Sequence, residues 1–220
     1  MEILKNLLSS DPAAPRLTFY NESTGSRLDF SAVTLDNWAA KVGNMLLEEF
    51  DLSAGDSISI DLPPSWQSAA ISLGALAADI TVNFDESPAE VLFCGLNSEA
   101  KDDFTDVAIV TDDPFGRGVA EIGEEMPEGA VDFGPTVRFY GDSFPLPTRR
   151  LEECLPPELL NFAPGERVLT SGWSDWDSFA RTVLAPLACG GSCVIVTGPA
   201  STGRLEKISQ AERITKALSS

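Results

Sequence analysis

A chain of 220 residues with 43% hydrophobic content is long enough to bury roughly 70% of its extended surface, so one large domain with an appended lobe is expected. It carries 34 Asp and Glu against 15 Lys and Arg, a formal net charge of −19; such a surface repels phosphate backbones and anionic lipid heads, which sets nucleic acid and membranes aside as partners. There is no histidine, which removes Ser-His-Asp and Cys-His nucleophilic machinery, imidazole metal ligands and the usual general base near neutral pH.

Solubility is the plain reading of the acidity, ahead of an acidic docking face. Cys94, Cys154, Cys189 and Cys193 have neither redox nor zinc-site spacing and are expected as buried free thiols. The apolar run at the N-terminus is too short for a secretory signal, and the longest apolar stretch, 66–78, is too short for a membrane span, so a soluble cytoplasmic protein is expected.

In chain order, residues 1–8 have the spacing of a short amphipathic helix ended by Ser9, Ser10, Asp11 and Pro12. Two apolar-alternating runs, 17–20 and 27–30, flank a turn composition and predict a β-hairpin. Thr34 is placed to cap a helix whose apolar residues Leu35, Trp38, Ala39, Val42, Leu46 and Phe50 recur at three and four. Residues 56–84 then read as a βαβ unit. SISIDL alternates, Pro63 and Pro64 stop it, Ser65 caps an apolar helix, and 80–84 is the return strand. That helix is apolar nearly all round, so it needs a sheet on one side and helices on the other. The expectation is a layered α/β fold, a mainly parallel sheet with helices on both faces.

Strands at 91–94 and 107–111 continue the sheet. Residues 112–147 are rich in Gly, Pro, Asp and Glu and read as a lobe or long excursion, with short strands at 131–133 and 137–140. A helix over 149–160 broken at Pro156 and Pro157, a strand over 166–169, a helix over 176–188, a strand over 192–196 and a last helix over 205–218 complete the pattern.

Two loops carry residue types that hold anions. Thr170, Ser171 and Gly172 follow a strand, but Trp173, Ser174, Asp175, Trp176 and Asp177 come next with no lysine to offset phosphate charge, so a turn and helix cap is the competing reading. Thr197, Gly198, Ser201, Thr202 and Gly203 lie between a strand and a helix, a geometry that can cradle an anion, though the GK[ST] ending is missing. Trp173, Trp176 and Phe179 are candidates to wall an apolar substrate pocket near the strand ends, with helix packing as the alternative. Asp132, Asp142 and Arg138 are expected as a small surface ion-pair cluster. No residue is assigned a catalytic or metal-binding role.

Two blocks carry a resemblance. The first runs from Leu35-Asp36-Asn37-Trp38 through Leu52-Ser53-Ala54-Gly55-Asp56 to Phe84. The second runs from Phe162-Ala163-Pro164-Gly165-Glu166-Arg167-Val168-Leu169 through Leu184-Ala185-Pro186-Leu187-Ala188-Cys189-Gly190-Gly191 to Val196, and Glu212-Arg213-Ile214-Thr215 looks like the start of a following strand. Together they resemble the N-terminal part of the adenylate-forming superfamily, which includes acyl-CoA synthetases, luciferases and the adenylation domains of peptide synthetases. The middle region, 127–133 and 137–144, is similar to a group of short AMP-binding-like proteins of actinobacteria, a membership that implies no particular activity.

The resemblance implies a Ser/Thr/Gly-rich phosphate loop with a lysine before Phe162. Residues 112–118 (DDPFGRG) offer glycines and an arginine there but no Ser/Thr run. The adenine motif, the ribose-binding aspartate and the lid with its catalytic lysine are likewise not found in 1–220. The expectation is therefore a truncated adenylate-forming-like domain over 1–220, with 112–160 irregular, that cannot adenylate alone. It would act as a pseudoenzyme, a non-catalytic module binding a small carboxylate or acyl ligand or serving regulation, and the sequence assigns it no particular cofactor. One alternative is an enzyme with an altered ATP, AMP or CoA site on the two loops. Another is an interaction module that completes its sheet with a protein partner or as a homodimer.

Overall fold

The computed structural model describes residues 1–85 and 87–218. In chain order the elements are α1 (Lys5–Ser10), β1 (Pro15–Asn21), β2 (Ser26–Ser31), α2 (Ala32–Glu48), β3 (Ser57–Asp61), α3 (Trp66–Ala77), β4 (Thr81–Asn83), β5 (Val91–Cys94), β6 (Asp106–Ile109), β7 (Val131–Asp132), α4 (Phe133–Phe139), β8 (Arg167–Thr170), α5 (Trp176–Phe179), α6 (Ala185–Ala188), β9 (Ser192–Thr197), α7 (Thr202–Ala211) and β10 (Lys216–Ala217). The α/β class expected from the sequence is found, with the strands shared between two sheets. The chain divides into two compact units: Met1, Asp36–Pro63 and Gln67–Thr148 form one, and Glu2–Leu35, Pro64–Trp66 and Arg149–Ser220 the other.

The first unit holds a five-stranded sheet in the order β4-β3-β5-β6-β7, every pair parallel. Parallel strands are buried on both faces and so read as apolar runs, as Val91–Cys94 does, with all four residues buried. Leu92, Cys94, Val107 and Ile109 point to one face, and among the described residues the cluster there takes in no residue of an α-helix. The cover is Ala100, Val119 and the half-buried Leu96, Phe104, Met126 and Ala130, so the Gly- and Pro-rich segment after β6 folds back over the sheet. Phe93 points the other way and meets Phe50 and Phe133 edge-on, with centroids 6.0 Å apart in both pairs.

Two details, in α4 and at the start of α2, differ from the sequence reading. Residues 133–139 are helical, not extended: Phe133 and Val137, four apart, both turn inward, and Pro135 in the first turn lacks an amide that would have had no intrahelical partner anyway. The N-cap contact of α2 comes from Ser31, whose Oγ accepts the amide of Thr34 at 3.1 Å, so Thr34 lies inside the first turn.

The second unit holds the order β10-β8-β9-β1-β2, with β10, β8, β9 and β1 mutually parallel and β2 antiparallel as the hairpin partner of β1. The step from β8 to β9 and the step from β9 to β10 run in opposite directions, so right-handed crossovers put their helices on opposite faces. On one face Ile208 of α7 packs with Tyr20, Leu169, Val194 and Val196. The other crossover is one continuous helical run, α5, a π-turn over Ala180–Leu184 and α6. Pro186 accounts for the widened turn, because its ring would collide with the carbonyl four residues back and it has no amide to donate. The last helix stops at Ala211, short of the expected 218, because Arg213 takes a left-handed conformation at φ 53° and the chain turns into β10.

All four cysteines are free. Cys94 and Cys193 are buried, while Cys154 and Cys189 are only partly so. Burial, helped at Cys94 by the nearby Asp61 carboxylate, pushes the Cys94 thiol up to about 11, and burial pushes Cys193 up to about 12. Among the described residues no helix is long and apolar enough to cross a membrane.

Helices α2 and α3 are in close contact at Gly74, where an added Cβ would fall 2.5 Å from Cβ and Cγ1 of Val42 and 3.0 Å from the Ala39 carbonyl oxygen. Alanine normally gains about 1 kcal/mol over glycine inside a helix. Here the overlap outweighs that gain, so Gly74→Ala is expected to destabilise the protein by about 1–3 kcal/mol, read as a lowered melting temperature and urea midpoint.

Candidate functional site

Strands β8 and β9 run parallel, with Thr170 beside Ile195, so the loops that follow them leave from the same edge of the sheet. Open α/β sheets hold ligands outside the carboxyl ends of the strands, most often where the strand order reverses. In the second unit that reversal lies between β8 and β10. Both predicted loops therefore sit at the chemically favoured edge, with Thr170 beside the switch point.

The polar atoms of the first loop are largely used within it. The Thr170 hydroxyl donates to the Gly172 carbonyl at 3.0 Å and accepts the Gly172 amide at 3.2 Å. Gly172 has φ +119°, and an added Cβ would lie 2.6 Å from Pro64. Ser171 is exposed. Beyond it the start of α5 is a reciprocal cap: Asp175 Oδ1 accepts the Ser178 amide at 2.7 Å, and the Ser178 hydroxyl accepts the Asp175 amide at 3.1 Å. The Ser178 amide holds the Asp175 carboxyl below its ordinary range. A carboxylate thus already occupies the helix terminus that would attract an anion. The Trp173 and Trp176 rings lie 4.8 and 6.1 Å from the fully buried Phe179, forming an aromatic cluster in which Trp173 is itself buried.

The second loop is fastened to the β1–β2 turn. Thr197 donates its hydroxyl to the Tyr20 carbonyl at 3.2 Å, and its own carbonyl accepts the Glu22 amide at 2.9 Å. Gly198, at φ +81°, leaves no room for a Cβ beside Ser23. Ser201 caps α7 by accepting the Arg204 amide at 3.2 Å. Thr202 and Gly203 are exposed, and the space around Gly203 is open. Arg204, the only cation of the loop, holds Glu22 through two bonds of 2.8 and 2.9 Å.

Sequence reasoning missed a polar network beneath α7. Glu212, at the C-cap of that helix, is buried, and accepts from Tyr20 Oη at 2.6 Å, Arg27 Nε at 2.9 Å and Arg167 Nη2 at 2.5 Å. Arg167 also reaches Thr18 at 2.8 Å and Ser192 at 3.1 Å, and Thr18 donates to Asp29 at 2.7 Å. A carboxylate at a helix C-terminus opposes the helix dipole, and two guanidiniums offset it. The available signal was polar residues at i and i+2 on the two hairpin strands, Thr18 with Tyr20 and Arg27 with Asp29.

The expected cluster of Asp132, Asp142 and Arg138 does not form. Arg138 pairs with Glu121 at 2.6 Å and Asp142 with Lys41 at 2.8 Å, while Asp132 accepts the Val119 amide at 2.9 Å. In the DDPFGRG segment Arg117 is held by Asp113 at 2.7 Å. Among the described residues no group of three or more His, Cys, Asp or Glu is placed to hold a metal ion.

Burial opposes the Glu212 charge, but the bonds from Tyr20, Arg167 and Arg27 outweigh it and leave the carboxyl below its ordinary value. A depressed carboxyl contributes stability that is present above the unfolded-state value, near 4.5, and is lost as pH falls through the folded one. Glu212→Gln is expected to cost roughly 2–3 kcal/mol at pH 7, less than for a fully buried pair because Arg27 is half exposed. Denaturation at pH 7 and at successively lower pH should show that difference narrowing below about pH 4.5.

No protein-family model matches the chain. Among solved structures it superposes on an acyl-CoA synthetase of Brucella canis with a TM-score of 0.77 and 17% identity, covering 100% of this chain and 47% of that one. It also superposes on the acetoacetyl-CoA synthetase of Streptomyces lividans with a TM-score of 0.71 and 15% identity, covering 99% and 42%. The chain thus spans a little under half the length of these synthetases and shares their fold. In sequence it is 34% identical, over an alignment of 238 positions, to a TIGR03089 family protein of Mycobacterium tuberculosis, and the match takes in 98% of this chain and 96% of that one. On that identity and coverage, the chain belongs to the TIGR03089 family.

Proposed function

We propose that this chain is a non-catalytic member of the adenylate-forming fold, a module that binds a small carboxylate or acyl ligand at the carboxyl edge of the second unit's sheet and does not activate it. The observation that carries this reading is the electrostatics of the two loops. Residues 170–177 contain no lysine or arginine, and Arg204 in the other loop is bound on two bonds to Glu22. A nucleoside triphosphate brings several negative charges, and holding it takes cationic groups or a cradle of free amides. Here the amides of Gly172 and Ser178 already donate to Thr170 and Asp175.

A carboxylate or acyl ligand makes smaller demands. One anionic group needs a single donor, and an apolar chain needs an apolar wall, for which the half-buried Trp176, resting against the buried Phe179, is the ring within reach. Both the ligand and the edge belong to the proposal, together with the reading of the chain as a pseudoenzyme.

A ligand that binds only the folded state raises its melting temperature by mass action, by about 2.7 kcal/mol of stability at a hundredfold excess over the dissociation constant. A series of fatty and aromatic carboxylates is expected to raise the melting temperature, and Trp176→Ala should abolish the shift. ATP, AMP and CoA should leave it unchanged. A saturable shift with ATP or AMP that disappears in Gly203→Asp would overturn the reading in favour of an altered nucleotide site.

A further inference from the structure

Unit one presents an aromatic face that the ligand reading above does not use. Of the chain's 12 phenylalanines, Phe115 and Phe139 alone have rings mostly in water, at 74% and 89% exposure. Neither is a frayed end. Phe115 sits at the tip of a loop locked from beneath: the buried Asp113 accepts the amides of Phe115 and Arg117 at 2.9 and 3.2 Å and grips the Arg117 guanidinium at 2.9 and 2.7 Å. The loop is pressed onto α4, where a Cβ on Gly134 would lie 2.5 Å from the Gly116 carbonyl and one on Gly118 would lie 2.3 Å from Pro135. Farther along, Glu121 meets Arg138 in the last turn of α4. The segment from Phe115 to Ile122 therefore runs beside the helix that ends in Phe139, and the packing holds both rings outward.

The charge on this face has one sign. Its two arginines are neutralised internally, Arg117 by Asp113 and Arg138 by Glu121. Asp112, Glu124, Glu125 and Glu128 are exposed and have no cationic partner among the described residues. Exposed aromatic rings together with exposed carboxylates along one segment are the composition of an interaction surface, which combines apolar anchors with charged neighbours. A second copy of the chain brings the same acidic face and the same −19, and anionic lipid or nucleic acid brings more negative charge, so all three are repelled.

We infer that the face built from residues 112–128 and α4 is a docking surface for a cationic protein segment, one that places apolar side chains against Phe115 and Phe139 and lysine or arginine against the four unpaired carboxylates.

The test uses the full chain and, as probe, a fluorescently labelled amphipathic peptide of about 18 residues with leucine on one helical face and lysine on the other, at about 0.15 M ionic strength. Fluorescence anisotropy should show saturable binding, weakened about tenfold or more by Phe115→Ser with Phe139→Ser, and similarly by Glu124→Gln, Glu125→Gln and Glu128→Gln together. Both variants change exposed side chains, so their melting temperatures should match the parent's. A control that neutralises exposed carboxylates outside the face, Glu158→Gln, Asp177→Asn and Glu206→Gln, should leave the affinity within about twofold. The proposal is overturned if the peptide does not bind, if the phenylalanine variant binds like the parent, or if the control weakens binding as much as the glutamine triple does.

Discussion

A parallel sheet must be covered on both faces, and in both units that requirement decides where the rest of the chain goes. In the unit built on β3, α3 and α2 approach so closely that Gly74 has no space for a methyl group. The opposite face is closed by an irregular segment that contributes Val119, Met126 and Ala130 where a crossover helix would ordinarily lie. In the unit built on β8 and β9, the cover on one face is α7, and its C-terminal end is tied down by Glu212 between Arg27 and Arg167. Breaking any of these covers exposes a sheet face made of Val, Ile, Leu and Phe.

That use of charged residues has a chemical consequence. The chain has 15 cationic side chains against 34 acidic ones, and many of the cations are held in place: Arg27 and Arg167 on Glu212, Arg204 on Glu22, Arg117 on Asp113, Arg138 on Glu121 and Lys41 on Asp142. Here the arginine nearest a candidate loop is bound on two bonds to a glutamate. The fold is shared with the synthetases, and function follows the site rather than the scaffold.

Much of this scaffold is legible from residue spacing. Ser57–Asp61 alternates cleanly and ends at two prolines, so β3 and the start of α3 can be read directly. Thr170 and Thr197 are expected in loops after strands; they are the last residues of β8 and β9, and the loops leave directly from them. Other features had no local signal. Phe133 and Val137 lie four apart within short apolar runs, a spacing compatible with strand or helix, and only the inward packing of both decides for helix. Arg213 ends the last helix at positive φ without the glycine that usually marks such a turn. The partition into two sheets depends on β1 pairing with β9, and the Glu212 network joins Tyr20 to a residue 192 positions later. Neither long-range pairing is written in local periodicity.

The central claim is that a synthetase fold persists here without the charge needed to activate a carboxylate. Carboxylate-dependent exchange of labelled pyrophosphate into ATP, catalysed by the purified chain, tests it most directly, because exchange reports the adenylation half-reaction alone. A chain without that chemistry gives no exchange above the protein-free blank with any fatty or aromatic carboxylate. Saturable, carboxylate-dependent exchange that co-purifies with the chain would contradict it.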